Sequence, residues 1–317
     1  MLEWFMVEID ADFVNDVRTK LAADLVQLGY AVPAPAGDPY AAAHRVCMDH
    51  YNAHARRVPT RPRVVRWSTE LRARELGLTP EIRSGVTAAQ GDLTAGADLT
   101  PRLSRKLLKR GFNDKMLNDW GIHHLHLGLS MEPDGRFVTR TGDVLLVLFR
   151  DDDAHLIDVR AHGAWCDDDL VEIVHANWPE TIREFRLEGV SGFELTTEQR
   201  ANLRSKNGNA GVTARDGTFY AGIGGGLVGS AANLRAVCWG DWQLKMAQDA
   251  EATLRAYDLE SLADKVAEKV GTRPARLACR LAEVEGNDAY VVIDGAEFSV
   301  DGTVRPFVVK LALRAPA

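Results

Sequence analysis

Residues 120–162 constrain this chain most, because polar and apolar side chains alternate there with a period of two. The run IHHLHL is followed by RTGDVLLVLFRDDDAHLIDVRAHG. Such alternation predicts consecutive strands of a sheet with two unlike faces. Side chains at every second position share a face, so His124 and His126 project together while His123, Leu125 and Leu127 project the other way. The same rule puts Asp158, Arg160 and His162 on one face, with Ile157, Val159 and Ala161 opposite. Two imidazoles on one strand, and an acid, a guanidinium and an imidazole on another, form an acid/base or metal site where those faces converge.

The rest of the chain is bounded by size and charge. At 317 residues, 46% hydrophobic and 26% charged, it is long enough for two or three domains. No apolar run approaches the length of a membrane span, and the opening MLEWFMVEIDADF is acidic where a secretory signal is basic, so a cytoplasmic location is expected. Cys47, Cys166, Cys238 and Cys279 form no CxxC pair, which argues against a zinc ribbon or a disulfide framework and for reduced core thiols.

Charge is uneven. Residues 55–115 hold fourteen Lys/Arg against six Asp/Glu, a net of +8 in a chain of −7, which leaves −15 for the remainder. Within TPRLSRKLLKRGF, the cations Arg102, Arg105, Lys106, Lys109 and Arg110 recur at helical spacing, predicting a helix with one basic stripe. That stripe is either a solvated face or a phosphate-contacting surface for RNA or DNA.

The predicted class is α+β, in three regions: a helical N-terminal region (1–94), a central antiparallel sheet flanked by helices and carrying the candidate site (95–195), and a C-terminal α+β region ending in β-hairpins (196–317). The first region holds the helical patterns DFVNDVRTKLAADLVQLGY and DPYAAAHRVCMDHYNAHARR, separated by VPAPAGDP and followed by VPTRPRVVR. In the second pattern His44, Cys47, His50, Tyr51 and His54 fall at three- and four-residue spacings, and mixed helix surface explains them better than a metal face. The central region closes with the helix DDDLVEIVHANWPETI, whose aspartates suit a helix N-terminus. The last region predicts a helix from Thr196, a hairpin at Asp216-Gly217, a helical stretch over 233–270 and turns at Asp294-Gly295 and Asp301-Gly302. Its run Gly224 to Gly229 fits the letters GxGxxG, but no second strand with an acidic end follows, so a close-packed turn is expected instead of a dinucleotide site.

The order basic helix, short strand, turn, then the strand pair RTGDVLLVLFRDDDAHLIDVRAHG resembles the core of RelE/ParE-type toxins, over about a fifth of the chain. The resemblance implies ribonuclease or gyrase-directed activity, a protein inhibitor or antitoxin as partner, and substrate contacts from Arg140, Arg150, Arg160 and His162. The chain departs from that family in its size, its large flanking regions and its HHLH cluster.

The residues themselves suit RNA cleavage. Attack of a 2′-hydroxyl on the adjacent phosphate needs a base, an acid and positive charge at phosphorus, which His124, His126 or His162 with Arg160 or Arg140 supply without metal or cofactor. Two alternatives stand beside it. His124 and His126 with Asp158 and His162 make a zinc- or manganese-dependent hydrolase, and the basic segment makes a non-catalytic nucleic-acid-binding protein. In the last reading the flanking regions serve self-association or partner binding, with Trp120, Trp165, Trp178, Trp239 and Trp242 as anchors.

Overall fold

The alternating segment folds into neighbouring strands whose two faces seed two separate apolar clusters. The structure, a computed structural model, describes residues 7–190, 192, 194–300 and 303–313. In chain order its elements are β1 (Glu8–Asp10), α1 (Phe13–Gln27), α2 (Pro39–Ala55), β2 (Val64–Trp67), α3 (Thr69–Arg74), α4 (Pro80–Ala95) and α5 (Lys115–Trp120). Next come β3 (Ile122–His126), β4 (Asp143–Phe149), β5 (Asp153–Ala161), α6 (Asp169–Asn177), β6 (Arg186–Leu187), α7 (Thr197–Ser205), β7 (Val212–Thr213) and β8 (Phe219–Tyr220). The chain ends with α8 (Leu234–Arg255), α9 (Leu259–Val270), β9 (Arg276–Glu285), β10 (Asp288–Val300) and β11 (Thr303–Ala312). This is the expected α+β class, and no described helix is long and apolar enough to cross a membrane.

The three consecutive regions are not the compact units. Met1–His50 joins Cys238–Ala317 as unit 1, and Tyr51–Val237 forms unit 2, so both expected boundaries fall inside unit 2. The two ends of the chain meet because β1 pairs in parallel with β9, placing Ile9 opposite Leu277. In unit 1 the sheet order is β1-β9-β10-β11, and Phe13, Ala250, Leu254, Ala263, Val291 and Leu311 lie in its core. Asp294-Gly295 is not a turn between strands but lies in the irregular stretch where the β10–β11 register shifts between Ile293 and Glu297. Asp301-Gly302 falls outside the described residues.

Unit 2 is built on the sheet β2-β5-β4-β3, in which β2 runs parallel to β5 and the other pairs are antiparallel. One face carries Leu125, Leu145, Val147, Leu156 and Val159 against Ile82, Val86, Ala89 and Leu93 of α4. The other carries Ile122, Val144, Leu146, Leu148 and Ile157 against Leu170, Val171 and Val174 of α6. Strand β2 comes from the end of the VPTRPRVVR segment, inside the region expected to be helical. A register shift in the β4–β5 pairing pairs Leu146 with Asp158 but Val147 with Leu156, leaving Ile157 unpaired. That bulge puts Ile157 on the α6 side, away from the expected partner Val159.

The basic segment is not one helix. Thr100–Arg102 and Arg105–Leu108 are single 3-10 turns, separated by extended backbone at Leu103 (ψ 170) and Ser104 (ψ 138). Ser104 caps the second turn by accepting from the Lys106 amide, and Leu103 and Leu107 anchor both turns in the α4 core. The helical period of its cations thus reflects two buried leucines four residues apart.

The hairpin at Asp216-Gly217 forms as expected, with Val212 opposite Tyr220 and Thr213 opposite Phe219. Helices α7, α8 and α9 also lie where the sequence places them. Gly224 belongs to a close-packed turn: its amide donates to the Asp119 carbonyl at 2.9 Å, and a β-carbon there would lie 2.2 Å from the Leu117 carbonyl oxygen.

Candidate functional site

Strand β3 is an edge strand of the unit 2 sheet, entered from α5 through Gly121 at φ 71. Its register places His124 opposite Leu146 and His126 opposite Val144, on the face that carries Ile122. His162 follows β5 and donates its amide to the Gly142 carbonyl at 2.7 Å, two strands away from β3. The three imidazoles converge into a nearly equilateral triangle. Ring centroids are 5.8 Å apart for His124–His126, 6.0 Å for His124–His162 and 5.7 Å for His126–His162. One donor nitrogen from each lies within 4.8 Å of the other two.

Burial is graded across the cluster. His126 is 4% exposed, His124 is partly buried and His162 is exposed. Burial pushes the His126 imidazole down to about 3, and the nearby charge of Arg140 pushes the same way. Burial also lowers His124, against the Asp114 carboxylate, whose Oδ2 lies 3.9 Å from His124 Nδ1. Both rings are therefore held in the neutral form at neutral pH. His126 Nδ1 is buried with no hydrogen-bond partner among the described residues. On the other face, His123 packs edge-on to Phe149 at 5.2 Å, and burial lowers it to about 4.

Beside the triangle opens a cavity of about 460 Å³, lined by His124 and His162 together with Lys106, Phe112, Asp114 and Trp165, among others. The Trp165 ring lies 4.8 Å from His124 and 4.9 Å from His162, closing one side of the imidazole cluster. Trp165 is set by Arg204 of α7, whose Nη1 donates to the Trp165 carbonyl while Nε and Nη2 reach Asp119 Oδ2 at 3.1 and 2.7 Å. Arg102 tethers the end of β3. It bonds Asp92 through Nε at 2.7 Å and donates Nη1 to the carbonyls of His126 and Gly128 at 3.3 Å.

Of the expected site residues, His124, His126 and His162 are brought together. Arg140 stands at the margin: its Nη1 donates to the Leu103 carbonyl at 3.1 Å, and its charge bears on both His124 and His126. Asp158 and Arg160 are not part of the cluster. Asp158 is wholly buried, with Oδ2 2.8 Å from Arg160 Nε and 3.3 Å from Arg74 Nη1, and Arg160 Nη2 donates to Asp169 at 2.6 Å. They share the histidine face but lie within β5, two strands from β3, where this ion network ties β5 to α3 and α6. Arg150, expected from the toxin resemblance to touch substrate, instead donates to the carbonyls of Phe149 and Thr181.

The five cations of the basic segment divide likewise. Arg102 is buried in structure, Arg105 pairs with Glu132, and Lys106 lines the cavity with Nζ 5.1 Å from the Phe112 ring. Lys109 is exposed and Arg110 half-buried. Trp165, Phe112, Asp114 and Arg204 were not expected at the site. Trp165 had a local signal, three residues after His162, whereas Arg204 had none, since its partner Asp119 is 85 residues away. Among the cysteines Cys47 and Cys279 are buried as expected, Cys166 lines the cavity and Cys238 is exposed. No family model, no curated protein and no solved structure matches the chain.

Proposed function

We propose that unit 2 cleaves phosphodiester bonds of RNA at the three-imidazole centre. The observation that carries this reading is the triangle of His124, His126 and His162 at the edge of a cavity of about 460 Å³. Its surroundings favour an anion bearing a flat ring. Lys106 and Lys115 line the cavity and Arg140 adds positive charge, while Phe112 and Trp165 offer aromatic surface on which a base can stack. An acid and a base on opposite sides of an in-line phosphorus need roughly 6–8 Å between their nitrogens, allowing a hydrogen bond on each side. One nitrogen of each ring lies within 4.8 Å of the other two, so the imidazoles also present one shared point to a bound group.

The test is direct. Full-length protein incubated with end-labelled RNA, and with DNA of the same sequence, is expected to cut the RNA. His124→Ala is expected to lower the rate by about 10²-fold or more, the usual loss for a side chain that takes part in the chemistry, with the circular dichroism spectrum unchanged. Intact RNA, equal cutting of DNA, or full activity in the variant overturns the proposal.

A further inference from the structure

We infer that His124, His126 and His162 form a binding site for one borderline divalent cation, of which zinc is the best fit. This deepens the RNA-cleavage reading and rests on it only for the use to which the ion is put. The first support is geometric. Metal–nitrogen bonds of about 2.0–2.1 Å place the centroids of three tetrahedrally arranged imidazoles roughly 5–5.5 Å apart. The observed separations of 5.7, 5.8 and 6.0 Å need only a small inward shift of each ring.

The second support is an unsatisfied atom. His126 is 4% exposed and its Nδ1 has no hydrogen-bond partner among the described residues. A buried polar nitrogen left unpaired is costly, and in a cluster of three imidazoles a shared cation is the partner that satisfies all of them at once. The third is the shell around the rings. The Asp114 carboxylate lies 3.9 Å from His124 Nδ1, on the side of the ring where a small approach would let it accept the N–H of a ligating imidazole. Trp165 packs against His124 and His162, fixing their ring planes.

Three protein ligands leave a fourth position for water or substrate, as in catalytic rather than structural zinc sites. Because His124 and His162 line the cavity and His126 does not, that fourth position faces the cavity. An ion there would sit where a phosphoryl oxygen entering past Lys106 arrives, and would polarise it. Imidazole donors suit zinc, whereas magnesium and calcium prefer oxygen ligands.

The experiment titrates zinc chloride into full-length protein stripped with EDTA and dialysed, read by calorimetry, with the visible absorption of added cobalt(II) as an independent probe of four-coordinate geometry. One zinc per chain is expected. His162→Ala, at an exposed position that leaves the core intact, should weaken the affinity by about 10²-fold or more, at least the loss that follows removal of a mere outer partner. Absent stoichiometric uptake, or uptake that both His124→Ala and His162→Ala leave unchanged, overturns the site. RNA cleavage by the stripped protein with no zinc uptake overturns the ion and leaves the RNA-cleavage reading standing. Zinc uptake through the three histidines with no RNA cleavage upholds the ion and removes that reading alone.

Discussion

Arg204 is nearly buried, yet its one guanidinium serves Asp119 of α5 and the Trp165 carbonyl beside the imidazoles, and it stacks 4.2 Å from the Trp120 ring. Burial holds the Asp119 carboxyl above the usual range even against this partner. Removing only the cation strands a buried carboxylate, so Arg204→Met is expected to cost about 3–5 kcal/mol. The double change Asp119→Leu with Arg204→Met should recover much of that, because no charge is then left alone. Urea denaturation decides it: strictly additive losses would mean that the two side chains do not interact. His155 supports a pH prediction on the same scale. It is 3% exposed, packs 4.7 Å from Trp178, and burial lowers its pKa. Its folded value lies below the unfolded value of about 6.5, so its stabilising contribution is complete above that pH and is lost as the pH falls, by up to about 1.4 kcal/mol per unit. Between pH 7.5 and 5 the melting temperature of the wild type should therefore fall more steeply than that of His155→Phe, and parallel curves would count against it.

At the scale of elements, α4 offers an internal comparison. A β-carbon at Gly85 would lie 2.2 Å from the Leu127 carbonyl oxygen just beyond β3, whereas one at Gly91 would meet nothing within 4 Å. Gly85→Ala is expected to lift α4 from the sheet and destabilise by about 1–3 kcal/mol. Gly91→Ala on the same helix should stabilise by about 0.5–1 kcal/mol through backbone entropy and helix propensity. Thermal melts that move in the same direction for both would refute this account of α4 packing. The contrast also marks what sequence can and cannot reveal. The faces of β3, and of Asp158 and Arg160 on β5, were legible because a strand's period is local, and the hairpin at Asp216-Gly217 because its turn chemistry is local. The bulge at Ile157 was not, since it depends on how β4 and β5 align. Nor was the fate of Arg102 and Arg105, whose partners Asp92 and Glu132 turn an apparent basic stripe into structural ion pairs. His162 was placed on the correct face, but its approach to β3 across β4 is a tertiary fact that no spacing encodes.

For the molecule as a whole, the two units have separate apolar cores, and the central one is an insertion into the other along the chain. Phe13 is fully buried in the core of unit 1. Phe13→Ala is expected to cost that unit about 3–5 kcal/mol. Hydrogen exchange should then show protection lost across α8, α9 and β9 while β4 and β5 keep theirs, and an equal loss in both sets would show that the cores melt as one. The parallel pairing of β1 with β9 has a further consequence, in time. Ile9 leaves the ribosome first but must wait for Leu277, about 270 residues later, which at 5–20 residues per second is on the order of 15–50 s. Throughout that interval the opening segment has no strand to pair with, and every residue of unit 2 is made within it. During synthesis the insertion is thus complete before its host, and the imidazole cluster can assemble while the chain is still tethered to the machinery that makes it.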